Sequence, residues 1–150
     1  VQKHGGDIDK FVGDELVAVF QGEDKEQNAV LAAIEIQQKM KEVLKETEQE
    51  IAVGIGINTG EVVMGAMGSE QRMDYTVLGS NVNLGARLCS SAKPYQILIS
   101  KDVYDLIERR ISIQKLEPIS VKGFTSPITI YEVNWKSISL HSEETEIKSP

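Results

Sequence analysis

The sequence has 150 residues, 41% of them hydrophobic and 26% charged, which is enough for one globular domain with a buried core. A net charge of -7 argues against a nucleic-acid-binding surface, which is usually basic, although a few cations could still serve a phosphate-bearing small molecule. A single cysteine excludes an internal disulfide framework and suits a reducing compartment, so we expect a cytoplasmic location or the cytoplasmic side of a membrane-anchored parent protein. No apolar run approaches the ~20 residues of a membrane-spanning helix.

The first 48 residues predict a β-hairpin followed by a long helix. Residues 7–12 and 15–20 alternate in polarity and flank Gly13-Asp14, a dipeptide typical of tight turns. Residues 24–48 then predict one helix, because apolar residues recur at spacings of 4, 3, 4 and 3. The apolar face predicted from this spacing consists of Ala29, Ala33, Ile36, Met40 and Val43.

The middle of the chain predicts a strand with one nearly bare face. In IAVGIGINTG, residues 51–60, bulky residues alternate with small ones such as Gly54 and Gly56. A face without side chains allows a backbone, a ligand or a neighbouring subunit to come close. Residues 61–73, EVVMGAMGSEQRM, predict a glycine-punctuated connection, and the following DYTVLG predicts a short strand.

The second half of the chain predicts two further helices and three further strands. The first helix begins at Gly79-Ser80, with Ser80 or Asn81 as its N-cap, and ends near Ser91. A strand, a short helix and a closing pair of strands follow, at residues 95–100, 101–109, 111–121 and 127–135.

These elements predict an α+β fold in which a mostly antiparallel sheet carries its helices on one side. Residues 1–136 form the predicted domain. Residues 137–150 contain few apolar side chains, so we expect them to be a disordered tail.

Asp14 is the first candidate functional residue. A carboxylate on a rigid hairpin turn could bind Mg²⁺, which takes one or two carboxylates together with the phosphate oxygens of a substrate. Gly-Asp is also good turn chemistry, so this dipeptide by itself leaves both interpretations open.

Four further residues could contact a phosphorylated ligand. Asn83 and Arg87 are four residues apart and therefore share one helix face. They could form an ordinary solvated surface, or they could bind a sugar oxygen and a phosphate, for which planar arginine is the preferred donor. Lys122 is either a surface residue or a point charge for a terminal phosphate. Lys10, inside an apolar run, is either an edge residue or a specific hydrogen-bond donor.

Three segments together resemble the catalytic domain of the class III nucleotidyl cyclases: GGDIDKFVGDELVAVF, VGIGINTGEVVMGAMGSEQRMDYTVLGSNVNLGARL and VKGFTSPITIYEV. The resemblance covers about residues 3–135. It implies a ferredoxin-like, mixed and mostly antiparallel sheet with helices packed on it, whose first strand and following helices would precede Val1. It also implies conversion of ATP to cyclic AMP and pyrophosphate with two Mg²⁺ or Mn²⁺ ions.

The resemblance implies a role for each candidate in the chemical step. Asp14 matches the second of two metal-binding aspartates, and Lys122 matches a lysine that binds the triphosphate. Asn83 and Arg87 match the pair that holds the ribose and stabilises the five-coordinate phosphorus.

Lys10 and Thr76 match the two base-recognising positions of the family. A lysine only donates hydrogen bonds, so Lys10 suits the ring-nitrogen acceptor of adenine and conflicts with the N–H of guanine. Thr76 can accept a hydrogen bond from the exocyclic amine of adenine, so ATP is the expected substrate. Adenylate enzymes often carry Asp in place of Thr76, which indicates looser base selection here.

The resemblance further implies a homodimer with active sites between the subunits. The first metal-binding aspartate would lie upstream of GGDIDKF, so we expect this chain alone to have little or no cyclase activity. Two alternatives stay open. The domain could be a silent cyclase-like module that binds nucleotide or regulates a partner, or it could be a guanylate cyclase.

Overall fold

The computed structural model describes residues 1–47, 51–69, 72–107, 111–136 and 138, so the predicted tail lies almost wholly outside the described residues. Its elements are a 3₁₀ turn Gln2–His4, β1 Gly6–Val12, β2 Glu15–Phe20, α1 Lys25–Thr47, β3 Ile55–Ile57, β4 Val63–Ser69, β5 Arg72–Leu78, α2 Ser80–Ser91, β6 Ile97–Ser100, α3 Lys101–Leu106, β7 Ile113–Lys115 and β8 Ile130–Val133. The predicted α+β class is confirmed. Within the described ranges, no helix is long and apolar enough to cross a bilayer.

The strands form one four-stranded sheet and two hairpins. The main sheet has the order β3-β6-β8-β7, in which only the β3–β6 pair is parallel. The other pairs, β1–β2 and β4–β5, are antiparallel ribbons. The sheet is therefore mixed and mostly antiparallel, as predicted.

The prediction of a connection at residues 61–73 is wrong, because β4 pairs with β5 along its whole length. The glycines of this segment concealed the strand. Gly65 lies opposite Thr76, and a side chain at Gly65 would collide with Leu78, whose Cδ1 would be 2.5 Å from the new Cβ. Leu78 thus covers the position where β4 has no side chain of its own.

The hairpin predicted around Gly13-Asp14 is confirmed. Val12 pairs with Glu15, so the turn contains only Gly13 and Asp14, and Gly13 has the positive φ of +62° that such a turn requires. The pairing register shifts between Ile8 and Lys10, which leaves Asp9 as a β-bulge. A bulge bends its strand and redirects the side chains beside it, so it affects how Lys10 is presented.

The main sheet is covered on both faces, which corrects the prediction that all helices lie on one side. Ile97 and Ile99 of β6 belong to a core with α1 and α3, whereas Leu98 belongs to a second core with α2. All three side chains are at most 2% exposed. A strand that is apolar on both faces needs cover on both, and α2 supplies the second.

Helix α1 has nearly the predicted bounds, but its buried face is different. Of the five positions predicted for that face, only Ala33 is buried; the stripe that packs against β6 runs through Val30, Ala33 and Ile34 to Gln37. Gln37 is fully buried, and its Nε2 donates to the Val53 carbonyl at 2.8 Å, whereas its Oε1 has no hydrogen-bond partner among the described residues. Because Gln37 is polar, the apolar spacing in the sequence did not identify the face of α1 that is buried.

An ion-pair cluster fastens the N-terminal 3₁₀ turn to α1. Lys3 Nζ lies 2.9 Å from Glu35 Oε1, and His4 Nε2 lies 2.6 Å from Glu35 Oε2. The hydrogen bond from Lys3 outweighs the effect of burial and, with help from His4, lowers the pKa of Glu35 from 4.5 to about 2.

We expect Glu35→Gln to lower the free energy of unfolding at pH 6 by on the order of 1–3 kcal/mol. The native pKa is below the unfolded one, so the stabilisation is present above pH 4.5 and declines as the pH falls towards 2. Urea unfolding at several pH values checks this, with Asp105→Asn, which breaks an exposed surface pair with Lys101, as the control. A difference between wild type and Glu35→Gln that stays constant from pH 6 to pH 3 would contradict the expectation.

Candidate active site

The bare face of β3 is occupied by α2 of the same chain. A Cβ at Gly56 would lie 2.3 Å from the backbone N of Cys89 and 2.7 Å from the carbonyl carbon of Leu88. A Cβ at Gly54 would lie 3.0 Å from the Cβ of Ala92. The predicted close approach is confirmed, and its partner is a helix backbone rather than a ligand or a second subunit.

Asn83 and Arg87 share the exposed face of α2, as their spacing predicts. Leu84 and Leu88, each one residue further along, lie about 100° around the helix and are buried in the second core. Among the described residues, neither the Asn83 nor the Arg87 side chain forms a hydrogen bond or an ion pair, so both are available to a ligand.

Lys122 follows Val121, a residue that packs against α2. Val121 is buried in the cluster that contains Leu84 and Leu88 of α2. The chain then turns, with Gly123 at φ +94° and the Phe124 N–H donating to the Val121 carbonyl at 3.1 Å. Lys122 is therefore an exposed cation on a turn whose base packs against α2.

Lys10 and Thr76 lie on neighbouring elements, because β1 contacts β5. Thr76 occupies the position of β5 that pairs with Gly65 of β4. Lys10 Nζ lies 4.0 Å from Asp9 Oδ2, and the Asp9 side chain is only 7% exposed. The fold thus brings together the two strands that carry the predicted base-recognising positions.

Asp14 is exposed at the tip of the first hairpin. Burial raises the pKa of the Cys89 thiol on α2, and the charges of Glu15 and Asp14 raise it further. In the part of the chain that the structure describes, no three His, Cys, Asp or Glu side chains form a metal-binding group. Asp14 fits as one oxygen ligand of a hard cation such as Mg²⁺ or Mn²⁺.

The sequence analysis missed a hydrogen-bond network at the start of α2. The predicted caps are wrong: the N-cap is Gly79, and no side chain caps the helix. Asn81 Nδ2 instead donates to the Glu61 carbonyl at 2.8 Å, and Asn58 Nδ2 donates to the Asn81 carbonyl at 2.9 Å. A Cβ at Gly60 would lie 2.3 Å from Asn81 Nδ2, so the loop can approach the helix only with glycine there.

The same loop is tied to α1 through Glu26. Thr59 Oγ1 donates to Glu26 Oε1 at 2.7 Å, and Lys25 Nζ lies 2.8 Å from the same oxygen. Burial alone would raise the pKa of Glu26, but the hydrogen bonds from Lys25 and Thr59 outweigh it and lower the pKa. An asparagine at the end of a bare strand face was the only sequence signal for this network.

The fold is that of a nucleotide cyclase catalytic domain. Residues 2–134 match the family described as adenylate and guanylate cyclase catalytic domain, and the chain belongs to that family.

Particular relatives include both adenylate and guanylate enzymes. The chain is 37% identical over 139 residues to the terminal-differentiation-specific adenylate cyclase of Dictyostelium discoideum, covering 86% of this chain and 6% of that protein. The adenylyl cyclase CyaB from P. aeruginosa has a TM-score of 0.78 at 40% identity, over 88% of this chain and 73% of that one. The guanylyl cyclase Cya2 has a TM-score of 0.76 at 36% identity, over 88% and 71%.

The curated relatives are much longer than this chain. It spans 6% of the Dictyostelium protein and 29% of an adenylate cyclase of Anabaena cylindrica. It therefore corresponds to one part of these proteins.

Proposed function

We propose that this chain is the catalytic domain of an adenylate cyclase, which converts ATP to 3′,5′-cyclic AMP and pyrophosphate. The observation that carries the proposal is the free amide and guanidinium pair, Asn83 and Arg87, on the exposed face of α2. The base of the Lys122 turn packs against this helix through Val121. Asp14 is exposed at the tip of the first hairpin and carries the carboxylate. Together they offer an amide, two cations and a carboxylate, the groups needed to bind a nucleoside triphosphate and its metal ions.

The reaction would be an in-line displacement at the α-phosphorus. The ribose 3′-oxygen gives its proton to solvent and forms a bond to that phosphorus. The bond from the phosphorus to the bridging β-phosphate oxygen breaks, so pyrophosphate leaves with the electron pair. Arg87 would donate to the oxygens that gain charge at the five-coordinate phosphorus, and Asn83 would hold a ribose oxygen. Lys122 would bind the triphosphate as a point charge.

Asp14 would contribute one carboxylate ligand to the metal ions. Mg²⁺ or Mn²⁺, when bound, lowers the pKa of the 3′-hydroxyl and neutralises charge on the leaving phosphates. The protein's own part is to hold the carboxylate on a two-residue turn between paired strands, which fixes the position of its backbone.

The preference for ATP depends on Lys10 and Thr76. Lysine donates hydrogen bonds and accepts none, so it matches the unprotonated ring nitrogen of adenine. The Thr76 hydroxyl can accept from the adenine amine. Overall similarity does not decide the base, because CyaB and Cya2 are 40% and 36% identical to this chain.

We also propose that the domain acts as a homodimer with substrate sites between the subunits. Both hairpins expose large apolar side chains: Phe11 is 72% exposed, and Val63 is 66% exposed. Apolar surface of this kind typically marks an interface.

Lys10→Glu should shift the base preference from ATP towards GTP. A carboxylate accepts hydrogen bonds from the N–H groups of guanine and repels the adenine ring nitrogen, so we expect ATP turnover to fall roughly 10- to 100-fold. The measurement is cyclic AMP and cyclic GMP formation by the domain extended upstream to include the expected first strand, with Mg²⁺ or Mn²⁺.

Lys115→Glu makes the same charge change on β7, at the opposite edge of the main sheet from β3. It should leave the ratio of cyclic AMP to cyclic GMP formation unchanged. The unextended chain should give little or no product. A wild-type extended domain that prefers GTP would contradict the assignment to ATP. Nucleotide binding without turnover would favour a silent regulatory domain.

A further inference from the structure

The start of α2 is held from outside the helix. Its N-cap, Gly79, offers no side chain to the first turn. The loop after β3 supplies the missing contacts, because Asn58 Nδ2 donates to the Asn81 carbonyl and Asn81 Nδ2 donates to the Glu61 carbonyl. These two hydrogen bonds, which we call the asparagine tether, join the first turn of α2 to the loop that follows β3.

Asn58 serves this contact as a donor. Its Nδ2 also lies 3.4 Å from Asn81 Oδ1, so both of its acceptors belong to Asn81. Its own Oδ1 is buried and has no hydrogen-bond partner among the described residues. A buried acceptor without a partner costs free energy, so the orientation of the amide is determined by what Nδ2 donates to.

The tether and the glycine contact fix α2 at two points. Gly56 places the backbone of Leu88 and Cys89 against β3 in the later turns, and the tether fixes the first turn. Asn83 follows Asn81 by two residues, and Arg87 follows it by six. A displacement of about 1 Å in a reacting group can cost ~10²-fold in rate, so this anchoring matters for the chemistry.

We propose that Asn58 and Asn81 are positioning residues: their tether holds the first turn of α2 so that Asn83 and Arg87 meet the ribose and the transferring phosphate in the correct geometry. The expected effect on kcat rests on the proposed cyclase function. The expected effect on the ordering of the first turn of α2 does not.

Asn81→Asp separates positioning from helix stability. The change keeps the size of the side chain but replaces the Nδ2 donor with an oxygen that repels the Glu61 carbonyl. A negative charge in the first turn stabilises a helix, so a role limited to helix stability predicts unchanged or improved activity. The positioning role predicts that kcat falls ~10- to 100-fold while KM for ATP changes less than about threefold.

Ser80→Asp is the matched control. Ser80 is exposed and adjacent, so the variant adds the same charge to the same turn and leaves the tether intact. We expect its kcat to stay within about threefold of the wild-type value. Asn58→Ala and Asn81→Ala each remove one of the two hydrogen bonds of the tether, so each should impair kcat and the double variant should be the most impaired of the three.

Hydrogen exchange of the Asn83 amide gives a readout independent of turnover. This N–H donates to the Gly79 carbonyl at 3.0 Å and reports directly on the first turn. In the extended domain, Asn81→Ala should increase its exchange about tenfold over wild type. Exchange and kcat that both match wild type would overturn the proposal. If wild type forms no cyclic nucleotide, the proposed function fails, and exchange alone then decides the tether: faster exchange supports it and unchanged exchange overturns it.

Discussion

Replacing Arg87 with alanine should lower the rate of cyclic AMP formation by the extended domain about 10²–10³-fold, the usual cost of losing one preorganised donor to a developing charge. The side chain is exposed on α2, so its removal leaves no cavity, and the thermal midpoint should hardly change. Because the interaction would be made mainly in the transition state, kcat and kcat/KM should fall by similar factors. Initial-rate kinetics with ATP provide the measurement.

Arg87→Lys sharpens this test. Lysine keeps the positive charge but loses the planar fork of donors, so it should recover only part of the lost rate. Ser90→Ala is the control on the same helix, since it removes a hydrogen bond to the Ala86 carbonyl and leaves the Arg87 guanidinium in place. An Arg87→Ala enzyme with normal kcat and a raised KM would show that the guanidinium only binds substrate, and the proposed role would be wrong.

Gly56→Ala should destabilise the domain by about 3 kcal/mol, at the upper end of what overpacking usually costs. The added Cβ would lie 2.3 Å from the backbone N of Cys89 and 2.7 Å from the carbonyl carbon of Leu88. Backbone atoms cannot rotate aside as a side chain can, so α2 as a whole has to move away from β3. Urea denaturation monitored by circular dichroism measures the loss.

Gly85→Ala is the matched control for the same helix and the same chemical change. Its Cβ would meet only the Cβ of Asn58, at 3.8 Å, which is an ordinary contact distance. Alanine is also the better helix former by about 1 kcal/mol, so this variant should be as stable as wild type or more so. Equal stability of the two variants would show that the contact between Gly56 and α2 is not close in solution.

The sequence predicts best those elements whose formation depends on residues close together in the chain. The Gly13-Asp14 turn and the bounds of α1 and α2 follow from dihedral preference and helical periodicity, and these act within a few residues. β4 was missed because what defines it is its partner, β5, and because its glycines resemble a loop. The burial of Gln37 was missed for the same reason, since the Val53 carbonyl that accepts from its Nε2 lies elsewhere in the chain.

The candidate site shows the same division. The shared helix face of Asn83 and Arg87 follows from their spacing alone. Their proposed roles, and those of Lys10 and Asp14, come from the family resemblance. Taken singly, each residue is equally compatible with an ordinary surface, edge or turn position. The tether between Asn58 and Asn81 has no local pattern, because it joins a loop to a helix that folds against it from more than twenty residues away.

The position of β6 between two cores affects how the domain unfolds. Three of the strand's four residues, Ile97, Leu98 and Ile99, separate two cores, one with α1 and α3 and the other with α2. Neither core can melt while the other survives intact, because both lose their central partner together. Heat or denaturant should therefore take this part of the chain from ordered to disordered in one cooperative step, with no half-folded intermediate.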